Sequence, residues 1–163
     1  MRRIIPQPLT AQAFAPFGEV IEASARAERR EINHGLAVRF HDLAAIDVAE
    51  SGGRAVVSLF RAQPLVPPVL KVMERHRLGS QAFVPLDGGP YLVAVAPAGP
   101  LDPQAIQVFR AAGDQGVNYR KGTWHHFLLA LEPASFLVID REGAEEDCDE
   151  VELAAADQAM VAL

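Results

Sequence analysis

The segment Glu74–Leu86 (ERHRLGSQAFVPL) carries more information about the fold of this chain than any other stretch. It places three side chains that can bind a ligand, Glu74, His76 and Gln81, within eight residues. Glu74 and His76 are two positions apart, so in a β-strand both side chains leave the same face of the sheet. Two polar groups on one strand face, met by a distant histidine, are typical of a site inside a β-barrel.

A second segment, Asn118–His126 (NYRKGTWHH), supplies that distant histidine. Adjacent residues of a strand point to opposite faces, so only one member of the pair His125–His126 enters the barrel easily. Residues 122–124 (GTW) can form the turn that delivers His125, which is the better candidate. We expect His126 to contact a ligand only where the strand is irregular.

The regular spacing of turns predicts the fold. About nine or ten short apolar strands alternate with turns every 8–12 residues, which favours an antiparallel sandwich or barrel over repeated βαβ units. The prediction is a mainly β protein: a cupin-like jelly-roll barrel of antiparallel strands with a few short helices. This is the barrel type whose facing strands carry inward ligand residues.

Local patterns refine this prediction. Thr10 is the expected N-cap of a short helix over residues 10–17, with Phe14 and Phe17 facing the core. The strands 69–75 and 81–85 are expected to form a hairpin around the turn Leu78–Ser80. Residues 24–31 read as a polar surface loop, and a short helix is one option for residues 153–162.

Composition limits the class of protein. At 163 residues, half of them apolar, the chain is most simply one domain over residues 1–163. Cys148 is the only cysteine, which excludes an intrachain disulfide and fits a reducing compartment. The N-terminus Met1–Pro6 has no apolar core like that of a signal peptide, and no apolar run is long enough to span a bilayer. We expect a cytoplasmic protein with no membrane partner.

Charge argues for a small anionic ligand. The formal net charge is −6, and the acidic residues are concentrated in Glu142–Glu152, which would repel nucleic acid. Several arginines lie among apolar strands instead, where a guanidinium can pair bidentately with a carboxylate. Structural salt bridges are the competing explanation for each of them. These arginines are residues 39, 61, 75, 77, 110, 120 and 141.

The inward polar residues predict a metal site. Glu74, His76, Gln81 and His125 could supply two to four ligands to a divalent metal, and this mixed set of nitrogen and oxygen donors does not choose among metals. Such a metal could polarise a substrate hydroxyl or carboxylate. The alternative is that these histidines are core residues with satisfied hydrogen bonds.

Other residues are candidates for substrate contact. Tyr119 could orient a substrate or act as an acid, or could simply line the barrel. Trp124 could be a core residue, and Asp140 could anchor a ligand residue from behind. Asn33 lies in a predicted turn, and Arg39 follows on the next strand.

Over nearly its whole length the chain resembles the ureidoglycolate lyase family of the allantoin degradation pathway. The matching strings are long and ordered, which makes the resemblance specific. They are FAPFGEVIE (14–22), NHGL (33–36), RFHDL (39–43), RAQP (61–64), ERHRLGSQAFVP (74–85), QGVNY (115–119), WHH (124–126) and IDR (139–141).

This resemblance implies a cupin-like barrel, a homodimer, and cleavage of (S)-ureidoglycolate to glyoxylate and urea in purine nitrogen catabolism, with a nickel requirement. The first cupin motif usually has His-x-His followed by Glu, and here Glu74, His76 and Gln81 take those places. The second motif appears as Arg120-x-Gly122-x-x-His125. The Glu-for-His and Gln-for-Glu replacements put the identity of the metal in doubt.

The same resemblance suggests roles for the candidate residues. The metal, His76 and His125 would bind the hydroxyl and carboxylate oxygens, and Tyr119 or Glu74 would transfer the proton. Arg39 or Arg75 would hold the carboxylate, although strand alternation aims Arg75 away from Glu74 and His76, towards a dimer surface. The remaining substrate-binding candidates are Asn33, Gln81, Trp124 and His126.

Two other functions remain open at this point. One is a non-enzymatic cupin-like protein that binds a small carboxylate. The other is a different metal-dependent cupin enzyme, such as a dioxygenase or a sugar-phosphate isomerase. The absence of a phosphate-cradling glycine loop weakens the last of these.

Overall fold

The computed structural model describes residues 1–163 and consists of seventeen strands, one α-helix and three short 3-10 helices. The α-helix, α1, spans Ala11–Phe14, and the 3-10 helices span Asn33–Gly35, Glu50–Gly52 and Pro103–Ala105. The strands are β1 (Arg2–Ile4), β2 (Gln7–Pro8), β3 (Gly18–Ile21), β4 (Glu28–Ile32), β5 (Ala37–His41), β6 (Arg54–Ala62), β7 (Val69–Leu70), β8 (Val72–Arg75), β9 (Gln81–Pro85), β10 (Gly88–Ala96), β11 (Gln107–Gly113), β12 (Gly116–Tyr119), β13 (Trp124–His125), β14 (Leu129–Ala130), β15 (Ala134–Glu142), β16 (Asp149–Glu152) and β17 (Ala159–Val161).

Two facing sheets enclose the main core. One has the order β3-β12-β9-β15-β6, and the other has the order β16-β8-β13-β10-β11-β2, with β14 also paired to β10. Every second residue of their strands points inward; Phe83, Val117 and Val138 come from one sheet, and Val93 and Val95 from the other. The prediction of a mainly β jelly roll is confirmed, and its strand pairing is mostly antiparallel.

A third layer covers the outside of the larger sheet. The small sheet β1-β17-β7 contributes Leu70 and Val161 to a second core, which also contains Leu92, Ala94 and Trp124 from the larger sheet. The larger sheet is therefore apolar on both faces of its centre. Its strand β10 accordingly has an uninterrupted run of buried residues instead of an alternating pattern.

The predicted N-terminal helix is confirmed, although it is shorter than expected. The Thr10 hydroxyl oxygen accepts a hydrogen bond from the Ala13 backbone N–H at 3.1 Å, which caps the helix. The α-helix ends at Phe14, and both Phe14 and Phe17 are buried in the main core. No helix of the protein has the length and apolar character needed to cross a bilayer.

Two local predictions were wrong, and the structure of the tail, for which a helix was one option, differs from that option. Strands β8 and β9 do not form a hairpin, because β8 lies in the larger sheet and β9 in the smaller one; the turn between them is a corner that joins the sheets. The polar segment 24–31 contributes to strand β4, which pairs with β5. The tail forms β16 and β17 instead of a helix, since Ala159 and Val161 alternate inward with period two and pair β17 with β1 and β7.

Two parts of the structure are not covered by the layers described above. Strands β6 and β16 are edge strands of the two main sheets, so hydrogen bonds do not close the barrel on that side. The hairpin β4–β5 forms a sheet of its own, and all of its residues are at least partly exposed.

Candidate metal and substrate site

Two strands from different parts of the chain place three ligand groups together inside the barrel. Glu74 on β8 pairs directly with His125 on β13, so both side chains lie on the same inner face. His76 follows two residues after Glu74. Ligand atoms of Glu74, His76 and His125 all lie within 4.8 Å of one another. The structure therefore brings the three central candidates into one cluster.

A glycine turn fixes the approach of His125. Gly122 has a φ of 79°, a left-handed conformation that other residues rarely adopt. Its N–H donates to the His76 backbone carbonyl at 2.7 Å. The loop that precedes His125 is therefore attached to His76, the residue that directly follows β8.

The two imidazoles are oriented for ligand binding. The Nδ1–H of His76 donates to the Asp147 backbone carbonyl at 2.5 Å, and the Nδ1–H of His125 donates to the His126 backbone carbonyl at 3.2 Å. Because a carbonyl can only accept, Nδ1 carries the proton in both rings and each Nε2 has a free lone pair. Both Nε2 atoms are buried without a hydrogen-bond partner. This is the arrangement that metal-binding histidines usually show.

Gln81 adds a further free acceptor beside the cluster. Its Nε2 donates to Asp140 Oδ2 at 3.2 Å, and this contact leaves the buried Oε1 without a partner. Gln81 and His76 line the same cavity. A carboxylate, two imidazole nitrogens and an amide oxygen form a donor set that fits a divalent cation.

Burial shifts the pKa values of two residues of the cluster. It raises the pKa of the Glu74 carboxyl, an effect that His76 partly offsets. Burial also lowers the pKa of His125 to about 3, with a further contribution from His76. His125 is therefore neutral near pH 7, as a metal ligand must be, and a bound cation would compensate for the partly buried charge of Glu74.

Tyr119 is part of the same inner wall. Its ring stacks on His125 with a centroid distance of 4.2 Å and an interplanar angle of 3°. It lies directly opposite Gln81 in the β9–β12 ladder. Burial raises the pKa of Tyr119, so its phenol stays protonated and can act as a donor.

The cluster adjoins a cavity of about 260 Å³. Its wall includes His76 and Gln81 together with Asp140, Arg141 and Cys148. No sequence pattern pointed to Cys148 as a ligand contact, and Arg141 was only one of several candidate arginines. The role of Asp147 depends on its backbone carbonyl, for which no sequence signal exists.

Two predicted substrate contacts lie on the other face of β8 and β13. The guanidinium of Arg75 donates to Asp149 Oδ2 and to the Gly99 backbone carbonyl, both at 2.9 Å, and lies 4.5 Å from the centre of the Trp124 ring. The Trp124 Nε1–H also donates to the Gly99 carbonyl. Arg75 and Trp124 thus contact each other outside the cavity.

Three other predicted contacts are also separate from the cluster. Asn33 and Arg39 lie on the exposed hairpin β4–β5 and its turn. His126 lines a different cavity of about 310 Å³ with Val69 and Phe127, and its ring donates to the Phe127 carbonyl. Their roles in substrate binding remain predictions.

The lowered pKa of His125 predicts an acid-sensitive fold. Between pH 6.5, the ordinary pKa of histidine, and about pH 3, the unfolded chain binds a proton at His125 that the folded metal-free protein does not. Stability from this group is therefore complete above pH 6.5 and is lost as the pH falls. We expect the free energy of unfolding to decrease by up to about 1.4 kcal/mol per pH unit relative to His125→Asn.

Urea unfolding with a chelator present, from about pH 7 to about pH 4, measures this difference. The His125→Asn variant is the control, because it keeps every other titratable group. Equal pH slopes for the two proteins would show that His125 is not buried in its neutral form.

The chain is similar to known proteins over nearly its whole length. A family model described as ureidoglycolate lyase matches residues 1–161. The ureidoglycolate lyase of Burkholderia mallei (strain NCTC 10229) is 54% identical over 155 residues, which cover 94% of this chain and 91% of that protein. The ureidoglycolate lyase of Pseudomonas putida (strain W619) is 47% identical over 153 residues, covering 92% of this chain and 91% of that protein.

Solved structures show only weak similarity. A structure of oxalate decarboxylase, described by its substrate binding mode and a reaction specificity switch, has a TM-score of 0.40 and 14% sequence identity. A structure of Bacillus subtilis oxalate decarboxylase, described by its Mn(II) centres, has a TM-score of 0.39 and 9% identity. Each match covers 61% of this chain and 24% of the other chain.

Proposed function

Because the chain belongs to the ureidoglycolate lyase family, we propose that it cleaves (S)-ureidoglycolate to glyoxylate and urea. The observation that carries this proposal is the cluster of Glu74, His76 and His125, whose ligand atoms lie within 4.8 Å of one another inside the barrel of a chain from this family. No observation favours a non-enzymatic carboxylate-binding protein or a different cupin enzyme.

The substrate has a carbon that carries a hydroxyl, a carboxylate and a ureido nitrogen. In the reaction the hydroxyl loses its proton and a C=O bond forms, while the C–N bond breaks and its electron pair goes to nitrogen. A proton is then added to this nitrogen, and urea leaves. The step consumes no water, so the enzyme is a carbon–nitrogen lyase of the amidine-lyase type. It needs a base at the hydroxyl and an acid at the nitrogen.

Glu74 of the cluster and the adjoining Tyr119 fit these roles. Glu74 has two carboxylate oxygens, so one can accept the hydroxyl proton while the other remains for a cation. Tyr119 keeps its proton and lies against His125, so its phenol can donate to the departing nitrogen. We assign Glu74 as the base and Tyr119 as the acid.

A divalent metal, proposed to be Ni²⁺, completes the site. Glu74, His76, Gln81 and His125 would hold it, since their free oxygen and nitrogen atoms suit such an ion. When bound, it would supply Lewis-acid polarisation of the substrate oxygens. The protein residues would also orient the substrate within the cavity of about 260 Å³.

The substrate carboxylate needs a cationic group. Arg141 is the arginine that lines the cavity, and its Nε–H donates to the Glu50 backbone carbonyl at 3.1 Å, which holds the side chain in place. We propose that its guanidinium attracts the carboxylate. Arg141 is therefore a third candidate for this role, besides Arg39 and Arg75, which do not line this cavity.

We further propose one catalytic unit over residues 1–163 that acts as a homodimer in the cytoplasm. The family model spans nearly this whole range. Cys148 is exposed and is the only cysteine, so the fold uses no disulfide and is compatible with a reducing compartment.

Incubation with (S)-ureidoglycolate tests this function, with glyoxylate followed over time. The protein is assayed after chelation and again after chelation followed by added Ni²⁺. We expect low turnover after chelation and recovery with Ni²⁺, because the donor atoms of the cluster would otherwise lack their cation. Recovery with Mn²⁺ or Zn²⁺ instead of Ni²⁺ would change the proposed identity of the metal and leave the lyase assignment intact. Absence of turnover under every condition would contradict the lyase assignment.

A further inference from the structure

Strand β6 (Arg54–Ala62) leaves one long backbone edge without a partner. Its nine residues all pair with β15 on one side, from Arg54 opposite Glu142 to Ala62 opposite Ala134. On the other side no strand pairs with it. A free edge of this length presents a row of N–H and C=O groups to any strand that approaches.

The side chains of β6 are apolar on both faces. Val57 and Leu59 point outward and are 64% and 65% exposed, and Phe60 points towards the open side of the barrel and is 39% exposed. A strand of an antiparallel sheet with one face in water normally alternates apolar and polar residues. Instead, the outward positions of β6 continue the apolar surface of Leu137 and Ile139 on β15.

This edge lacks the usual protection against association. Exposed edge strands are normally short, or carry proline, lysine or an inward charge near their centre. The sequence RAVVSLFRA has none of these, and its two charged residues, Arg54 and Arg61, lie near the ends. This unpaired edge can therefore form hydrogen bonds with another strand.

A second copy of β6 fits this edge, because the centre of the strand is apolar and its two charges lie near the ends. A two-fold axis midway between the two Ser58 residues would pair residue i of one copy with residue 116 − i of the other, so that each of the nine residues has a partner. It puts Arg54 opposite Ala62 and Arg61 opposite Ala55, so no like charges meet. Val57 then lies opposite Leu59, and aliphatic side chains face each other across the axis.

We propose that two copies of this chain associate by antiparallel pairing of their β6 strands, centred on Ser58. This rests on the proposed homodimer and names its surface. The two five-stranded sheets become one ten-stranded sheet, and Val57 and Leu59 of each copy gain an aliphatic neighbour across the axis. The site is close to this contact, because Asp140, which holds Gln81, pairs with Val56 in the β6–β15 ladder.

Charge substitutions at the opposed positions test the register. Val57→Lys and Leu59→Glu should each raise the dimer dissociation constant by at least about tenfold, because each leaves a charge against an aliphatic partner. Mixing the two variants should restore dimers, since lysine and glutamate then face each other across one of the two positions. Analytical ultracentrifugation measures the masses, and Ile5→Lys, at an exposed position outside β6, is the matched control that should remain dimeric.

A disulfide provides a second test. In a Cys148→Ser background, Ser58→Cys should give a chain of doubled mass on a non-reducing gel, because the axis brings the two Cβ atoms within bonding range. The Ile5→Cys control should not cross-link. Heterodimer formation together with the Ser58→Cys cross-link supports the proposal.

A wild-type protein that is monomeric, or a dimer that is unchanged by both charge variants, overturns the proposal. Glyoxylate release by the wild type is measured in parallel. Activity with a different interface, or with a monomer, rejects the β6 surface alone and leaves the lyase function intact.

Discussion

Replacement of His125 by alanine should lower kcat/KM for (S)-ureidoglycolate by at least about a thousandfold. His125 provides one of the buried free Nε2 atoms of the cluster, and its ring supports Tyr119 through the flat stacking contact at 4.2 Å. The substitution therefore removes a ligand atom, and it also removes the ring against which Tyr119, the proposed acid, is stacked. Steady-state kinetics measure the loss, and elemental analysis of the purified protein should show a matching fall in bound metal.

The neighbouring histidine offers a matched comparison. His126 is as buried as His125, but it lines the separate cavity with Val69 and Phe127. We expect His126→Ala to lower kcat/KM by less than about tenfold and to leave the metal content unchanged. If His125→Ala kept kcat/KM within about threefold of the wild type, the assignment of this cluster to catalysis would be wrong.

Removal of the Tyr119 hydroxyl should lower kcat by about a hundredfold to a thousandfold with little change in KM. The phenol is proposed to protonate the departing nitrogen, a role that phenylalanine cannot fill. The phenylalanine ring would keep the stacking on His125. Since the hydroxyl makes no hydrogen bond within the protein, we expect Tyr119→Phe to change the free energy of unfolding by less than about 1 kcal/mol.

Tyr91→Phe is the control, and it should behave in the opposite way. The Tyr91 hydroxyl donates to the Gln115 backbone carbonyl at 2.7 Å and faces the main core. Its removal should cost about 1 kcal/mol of stability, measured by urea unfolding, and leave kcat unchanged. A Tyr119→Phe enzyme with wild-type kcat would remove Tyr119 from the mechanism and leave the metal cluster in place.

Several parts of the site could be predicted from residue spacing. The interval between Glu74 and His76 predicted that both side chains point to one side, and the turn expected over residues 122–124 favoured His125 over His126. The structure shows both arrangements. Such predictions succeed because the periodicity of a strand is a local property that follows from backbone geometry.

Other parts could not be predicted in this way. Gln81 was expected on a hairpin with Glu74 and His76, but it reaches the site from the opposite sheet, across a corner. The hydrogen bond from His76 to the Asp147 carbonyl depends on a backbone atom, which every residue type offers. Arg75 and Trp124 have residue types that suit a ligand site, but they bond with Asp149 and Gly99 on the other face.

The mainly β fold, the family and the inner face of each ligand strand could be read from the chain alone, because alternation, turn residues and ordered motifs are encoded locally. Long-range packing decided which sheet each strand joins, and therefore that Gln81 meets His76 from the facing sheet. It also decided which nitrogen of each histidine remains free and which arginine lines the cavity. These properties arise from contacts between residues far apart in the chain, and no local pattern in Glu74–Leu86 specifies them.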